Sequence, residues 1–419
     1  MVDLQPRTSR HEEIDDIVNA RAGGVAETRD EANKYTVVGA ADRDTFANWL
    51  TPIEEHFVCH RNDIPAIDAD AWTVSLAGQA DGTLSMTDIK ERYPTVAVAH
   101  TMECAGNGRG QHRPETGSVQ WTFEAAANAF WTGTPVSSIL RAHGVDSPEG
   151  KWLTAIGGDP SDGDDVFARS IPLSKALEDC ILAYGMNGQP LPREHGYPVR
   201  LIVPGWYGAS NVKWVDELRV MDSMVTEDSL DRPGMHAYWQ QQSYRIHPEG
   251  VEPEENTTVE SGDTWEQLEG GGGVEYPYTF DATVMSVIGT PTGGSPVPLH
   301  GDDTIEVRGV AWAGDDAVDQ VEVSTDGAET WRTAELFGPA YSGAWRLFRY
   351  DWEPAPGTHV LLSRATDELG RRQPARISQP GAWRDALDND KFPWNEGGYA
   401  ANAYEPNAVE VEIRRRQSE

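Results

Sequence analysis

The chain is poor in cysteine, in lysine and in long apolar runs. Its 419 residues hold three cysteines, Cys59, Cys104 and Cys180, which argues against a disulfide framework and fits a reducing compartment. They form no CxxC or CxxCH pattern and no Cys/His zinc spacing, so iron–sulfur clusters, attached haem and structural zinc are not expected. No stretch approaches the roughly 20 apolar residues of a membrane helix. Residues Met1 to Asp16 contain neither an apolar run nor a twin-arginine signal, so the expected location is the cytoplasm. No repeat of solenoid length is visible.

Positive charge is also scarce. Against 68 acidic residues stand 34 basic ones, a formal net charge of -34, and only Lys34, Lys90, Lys151, Lys175, Lys213 and Lys391 are lysine. Such a field repels nucleic acid and anionic membrane surfaces, so neither is an expected partner. The carboxylates are spread along the whole chain rather than gathered in a tail. That is the pattern of a halophilic protein, kept soluble in concentrated salt, where charges are screened within a few ångströms. Hydrophobic content of 38%, with 15 Trp and 13 Tyr, supplies a core, and the length implies more than one domain.

The organisation expected is α+β. Residues 1–34 read as a polar N-terminal arm. Residues 35–246 alternate apolar strands (Thr95–Ala99, Trp152–Ile156, Val199–Val203) with helical stretches (Trp131–Ala142, Leu173–Leu182), a mixed α/β domain. Residues 247–278 are acidic and contain the run Gly270–Gly273, and read as a crossing segment. From 279 to 419 the texture is all-β, with short alternating strands at Thr304–Trp312, Val318–Ser324, Trp331–Leu336, Ala344–Trp352 and His359–Thr366. Asp326-Gly327 marks a hairpin turn, and the whole predicts an immunoglobulin-like sandwich.

The chemistry-bearing stretch is His100-Thr-Met-Glu-Cys-Ala-Gly-Asn-Gly-Arg109. A strand ends there in small, turn-forming residues, which places Cys104 at a strand tip. Gly106 and Gly108 let the backbone approach a bulky partner, and Arg109 can lower the thiol pKa or hold an anion. By physics alone Cys104 is a core cysteine, a nucleophile or a soft metal ligand, and spacing does not choose among these.

Glu103-Cys104-Ala105-Gly106-Asn107-x-Arg109 resembles the molybdenum-ligand loop of the sulfite oxidase family. Four more blocks follow the family's order. His60-Arg61-Asn62-Asp63-Ile64-Pro65 resembles the preceding Arg-Asn loop, and Trp121 and Trp131 fall where the family has two tryptophans. Met186 to Arg200 and Gly205 to Trp214 are longer matches, and Trp239-Gln-Gln-Gln-Ser-Tyr244 resembles the segment carrying an active-site tyrosine. The resemblance covers about residues 50–245, and the β-rich remainder resembles the family's dimerisation domain.

The resemblance implies a molybdopterin-binding domain followed by a dimerisation domain, with molybdenum held by one pterin dithiolene and by the Cys104 thiolate, a soft donor. By the same match His195, Arg200 and Lys213 contact the pterin and its phosphate, as fork or point-charge donors. Arg61, Asn62, Ser210, Asn211 and Val212 stand in matching positions, and Asp159 is a weaker candidate. For a small oxyanion substrate Arg61 and Arg109 are the cationic candidates, Tyr244 the hydrogen-bond donor and Trp121 a pocket-shaping side chain. Cys59 and Cys180 read as core.

Three positions depart from the family. The run Trp394-Asn-Glu-Gly-Gly-Tyr399 lacks the substrate-pocket arginine of many sulfite oxidases, Ser243 replaces a carboxylate, and Gly108 replaces a second arginine. A pocket with less positive charge binds a dianion less well. The leading expectation is oxidation of sulfite to sulfate by a homodimer that passes electrons to a separate acceptor, no haem or flavin motif being found in the chain. The rivals are a nitrate or sulfoxide reductase on the same scaffold, and a cofactor-free binding or structural protein.

Overall fold

The computed structural model describes residues 35–38, 42–61, 64–158, 166–226, 229–230, 240, 244–247, 278–299, 304–382, 386 and 389–415, with backbone alone for 35–38 and Arg61. The arm expected at 1–34 lies outside these residues, as does nearly all of the crossing segment at 247–278.

Two five-stranded sheets build the first domain. In one the order is Gln189–Pro190, Ile181–Met186, Ala126–Pro135, Val96–Glu103, with Arg200–Ile202 also paired to Ile181–Met186. In the other it is Gly82–Ser85, Thr73–Gly78, Val215–Met221, Trp152–Gly157, Ala168–Pro172. One apolar cluster joins them, with Leu76, Leu153 and Leu218 from the second sheet meeting Leu182 and Leu201 from the first. Three short helices, Met86–Glu91, Val136–Ala142 and Leu173–Glu178, bury Ile89, Ile139, Leu140 and Leu173 against the same cluster. Met86–Glu91 opens with a capping box, in which Ser85 and Asp88 satisfy each other's backbone N–H.

The two helical stretches expected from periodicity are shorter than predicted. Trp131 lies inside the strand Ala126–Pro135, and the helix begins only at Val136. The β-branched residues Thr132 and Thr134 favour strand, and Pro135 sits at the helix boundary. Likewise Leu173–Glu178 is helical, but Ile181 already starts the next strand.

The second domain is a β-sandwich. Met285–Thr290, Ile305–Trp312, Arg346–Trp352 and Glu335–Phe337 form one sheet. Val297–Leu299, Val409–Arg415, Gly357–Asp367, Val318–Ser324 and Arg332–Thr333 form the other. Val307, Ala311 and Phe348 from the first sheet interdigitate with Val321, Leu361, Ala365 and Val411 from the second, the alternation expected of facing sheets. The strand expected over Trp331–Leu336 is two strands in two different sheets. The chain crosses between them at Ala334, whose N–H is held by the Val321 carbonyl.

The domains meet across a third apolar cluster. Phe46, Ala105, Ala126 and Tyr207 pack against Met285, Val310, Trp312, Trp345, Tyr399 and Ala400. Polar ties fix the register: Thr101 N–H donates to the Gly343 carbonyl (2.7 Å), Trp345 N–H to Thr101 Oγ1 (2.7 Å) and Ala400 N–H to the Ala105 carbonyl (2.8 Å). Lys175 is paired with Asp315 of the sandwich (2.6 Å), which also accepts from Trp206 Nε1 (2.8 Å). Among the described residues no helix is long and apolar enough to cross a membrane.

Glu103, next to the cysteine, is the most demanding of these ties. It is buried and accepts from Asn107 Nδ2 (3.0 Å) on one oxygen and from Trp312 Nε1 (2.8 Å) of the sandwich on the other. Burial pushes its carboxyl up from 4.5 to about 8, the two donors opposing. A raised carboxyl contributes stability that is complete below pH 4.5 and is lost as pH rises through 8. Trp312→Phe removes one donor from the buried oxygen and should cost about 1–3 kcal/mol in urea unfolding. The loss should be larger above pH 8 than below it.

Candidate functional site

The strand Val96–Glu103 pairs with Ala126–Pro135 over eight rungs, from Val96↔Gly133 to Glu103↔Ala126. Cys104 is therefore the first residue beyond the sheet, as the sequence predicted. Its N–H is taken by the Ala125 carbonyl (2.8 Å). Asn107 closes the loop, donating its N–H to the Cys104 carbonyl (2.8 Å) and accepting from Ala125 N–H at its side chain (3.1 Å). Gly108 has φ 79°, and a Cβ there would meet the Ala401 carbonyl at 2.9 Å. The glycine is thus dictated by the sandwich behind it.

In front of the cysteine opens a cavity with about 890 Å³ of empty space, counting its mouth. Its wall includes Cys104, Cys59, Arg169, His195, Arg200, Lys213 and Tyr244. Backbone carbonyls hold the cations Arg200 and Lys213. Arg200 donates to the carbonyls of His195 (2.9 Å) and Asn211 (2.9 Å) and lies over the Trp131 ring (5.0 Å), and burial pulls its pKa down to about 9. Lys213 Nζ donates to the Glu194 carbonyl (2.7 Å) and the Cys59 carbonyl (3.3 Å). Asn211 spends its amide on the backbone, accepting from Val203 N–H (2.7 Å) and donating to the Tyr207 carbonyl (3.0 Å).

Cys104 itself is half-buried and free. Its thiol is lowered to about 7 because the Cys59 side chain hydrogen-bonds to it, with help from the Arg109 charge and the Gly106 N–H against the penalty of burial. Cys59 is raised in turn by the same bond. Cys59, expected as a core residue, thus packs at the cavity wall beside Cys104. Its position two residues before Arg61, in the loop matched to the cysteine loop, was the available signal. Cys180 is buried in the main core, as expected.

The remaining candidates divide. Tyr244 lines the cavity and stacks on Tyr399, with centroids 5.2 Å apart. Ser210 is buried in the turn Gly208–Ser210. Val212 points into the main apolar core, and its carbonyl accepts from Leu201 N–H (2.8 Å). Trp121 lies behind the cavity wall, edge-on to Phe57 (6.2 Å). Arg109 is buried, bonds the carbonyls of Gly397 (2.8 Å) and Val119 (3.1 Å), and is not among the wall residues. Arg61 ends the strand Val58–Arg61, and its side chain, like Asn62 and Asp159, lies outside the described residues. Arg169, Phe167 and Tyr399 were not anticipated, because no local pattern distinguishes them from ordinary strand and loop residues.

The donor set suits an anionic, sulfur-rich pterin cofactor. A thiol of lowered pKa shares one cavity with Arg169, Arg200, Lys213 and His195. Arg200 Nε is buried with no partner among the described residues, and a buried donor calls for one.

Comparisons with known proteins bear on the same regions. Residues 61–228 match the family model of the oxidoreductase molybdopterin binding domain, and residues 277–383 that of the Mo-co oxidoreductase dimerisation domain. Human mitochondrial sulfite oxidase is 30% identical over 359 residues, covering 82% of this chain and 60% of that protein. The chain thus spans about 60% of the length of the curated relatives it first matches. Chicken sulfite oxidase is 31% identical over 351 residues, covering 79% of this chain and 69% of that protein. The crystal structure of the sulfane dehydrogenase SoxCD from Paracoccus pantotrophus superposes with a TM-score of 0.69 at 25% identity, covering 99% of this chain and 95% of that one.

The missing arginine has a steric counterpart. A Cβ at Gly397 would overlap Cε2 and Cδ2 of the Tyr399 ring. Gly397→Ala should therefore cost about 1–3 kcal/mol by overpacking, seen as a lowered Tm, and the cost should vanish in a Tyr399→Ala background. The cysteine loop, the cavity it faces, both domain models and the chicken relative agree: the chain belongs to the sulfite oxidase family.

Proposed function

We propose that the protein oxidises sulfite to sulfate, taking an oxygen atom from water and releasing two protons and two electrons to a separate acceptor. The observation that carries this reading is one cavity in which the Cys104 thiol faces His195, Arg200 and Lys213. When bound, the molybdenum–pterin group supplies the oxygen-atom transfer and the two-electron change.

The chain's own residues do the rest. Cys104, lowered to about 7, yields more readily the thiolate that a soft metal takes. Arg200 and Lys213, already oriented by carbonyls, receive the pterin and its phosphate without reorganising. Arg109 stays behind the wall, where its charge favours the Cys104 thiolate and its two carbonyl bonds hold the loop. The Tyr244 hydroxyl, on a ring stacked against Tyr399, donates to the oxyanion.

The dispersed excess of carboxylates supports a halophilic protein, and three free cysteines support a reducing, cytoplasmic setting. The second domain, read as immunoglobulin-like, carries a two-fold homodimer.

Metal analysis of cofactor-loaded protein should give about one molybdenum per chain, and Cys104→Ser should lose turnover while keeping its circular dichroism. Sulfite, nitrate and methionine sulfoxide are then compared in concentrated salt. Protein without molybdenum, or reduction of nitrate in place of sulfite oxidation, rejects the proposal. Light scattering in salt should give twice the 46.0 kDa chain mass; a monomer rejects the dimer.

A further inference from the structure

A net charge of -34 repels an anionic substrate, so the pocket must supply local positive charge to bind one. Two sources are closed. Position 397 is a glycine, where a Cβ would overlap the Tyr399 ring, and Arg109 is committed to the carbonyls of Gly397 and Val119. Arg200 and Lys213 are tied to the loops Glu194–Lys213 and to Cys59, where the pterin is expected.

On the wall formed by the strand Ala168–Pro172 stands another cation. Arg169 is 2% exposed, yet lines the cavity together with Cys104 and Tyr244. Its guanidinium carbon lies 4.0 Å from the centroid of the Phe167 ring and 5.0 Å from that of Tyr244. Its Nη1 donates to the Ala168 carbonyl (2.7 Å). The two aromatic faces and the Ala168 carbonyl help to order the fork, and an ordered fork loses less entropy on taking an oxyanion. Its charge also reaches Tyr399, the side chain that closes the Gly397 position.

We infer that Arg169, held by Phe167 and Tyr244, is the substrate-binding cation that receives the small oxyanion beside Cys104, in place of the arginine that position 397 lacks. This rests on the proposed oxidation of sulfite, and it names a residue that sets affinity and specificity for that reaction. A planar guanidinium engages two oxygens of one anion, while the Tyr244 hydroxyl engages a third.

The test uses molybdenum-loaded protein at constant ionic strength. Sulfate binding is measured by calorimetry, and sulfite oxidation by steady-state kinetics. Arg169→Met should raise both the sulfate Kd and the sulfite KM by roughly tenfold or more, a loss of binding shared by ground and transition states. Its kcat should stay within about threefold, and its molybdenum content should equal that of the wild type. Arg169→Lys, which keeps the charge and loses the fork, should fall between the two. An unchanged sulfate Kd in Arg169→Met overturns the inference. If Arg169→Met fails to fold or to load molybdenum, Arg169→Lys decides: weakened sulfate binding at full loading supports the inference, and wild-type binding overturns it. A wild-type protein that binds sulfate through Arg169 but oxidises no sulfite rejects the reaction and keeps the anion site. One that binds no sulfate overturns the site.

Discussion

The clamp on the strand Val96–Glu103 is the constraint from which the rest follows. This strand belongs to the first domain by its eight-rung ladder, but its last residues are held by the second. Trp312 and Asn107 share the Glu103 carboxyl, Ala400 binds the Ala105 carbonyl, and Arg109 reaches the Gly397 carbonyl. Cys104 is thus fixed from behind by groups up to 295 positions away in the chain, while its thiol faces the cavity. A metal ligand, the role proposed for Cys104, needs this kind of support, because a misplacement of about an ångström costs affinity and rate.

Electrostatics complete the arrangement. The exterior is strongly acidic, yet the cavity gathers Arg169, His195, Arg200 and Lys213 with two thiols. Buried cations are costly unless bonded, and those whose bonds are described lean on backbone carbonyls rather than carboxylates. A carbonyl partner orients a cation without neutralising its charge. It also explains the tight geometry of the loops Pro192–Asn211, where Asn211 ties the chain to itself through three backbone groups.

Much of the architecture was legible in the residue pattern, because side-chain alternation carries the burial of each strand. The strands around Val96, Trp152 and Val318 stand where expected. The ends of elements were less legible. Trp131 joined a strand and Trp331–Leu336 split between two sheets, since local preference is weak against pairing with a distant neighbour. At the site, the ordered motifs marked Cys104, His195, Arg200, Lys213 and Tyr244, all of which line one cavity. Arg109 and Trp121 carry the same kind of signal but lie behind the wall.

Sequence by itself determined the cysteine at the strand tip and the acidic composition, for these depend on residue type and on neighbours a few positions away. Tertiary structure decided which cations face the cavity. Arg169 reaches Tyr244 from another strand, Cys59 meets Cys104 from a separate loop, and Tyr399 closes position 397 from within the second domain. Each of these is a contact between segments far apart in the chain, and such contacts exist only once both sheets and the sandwich have packed.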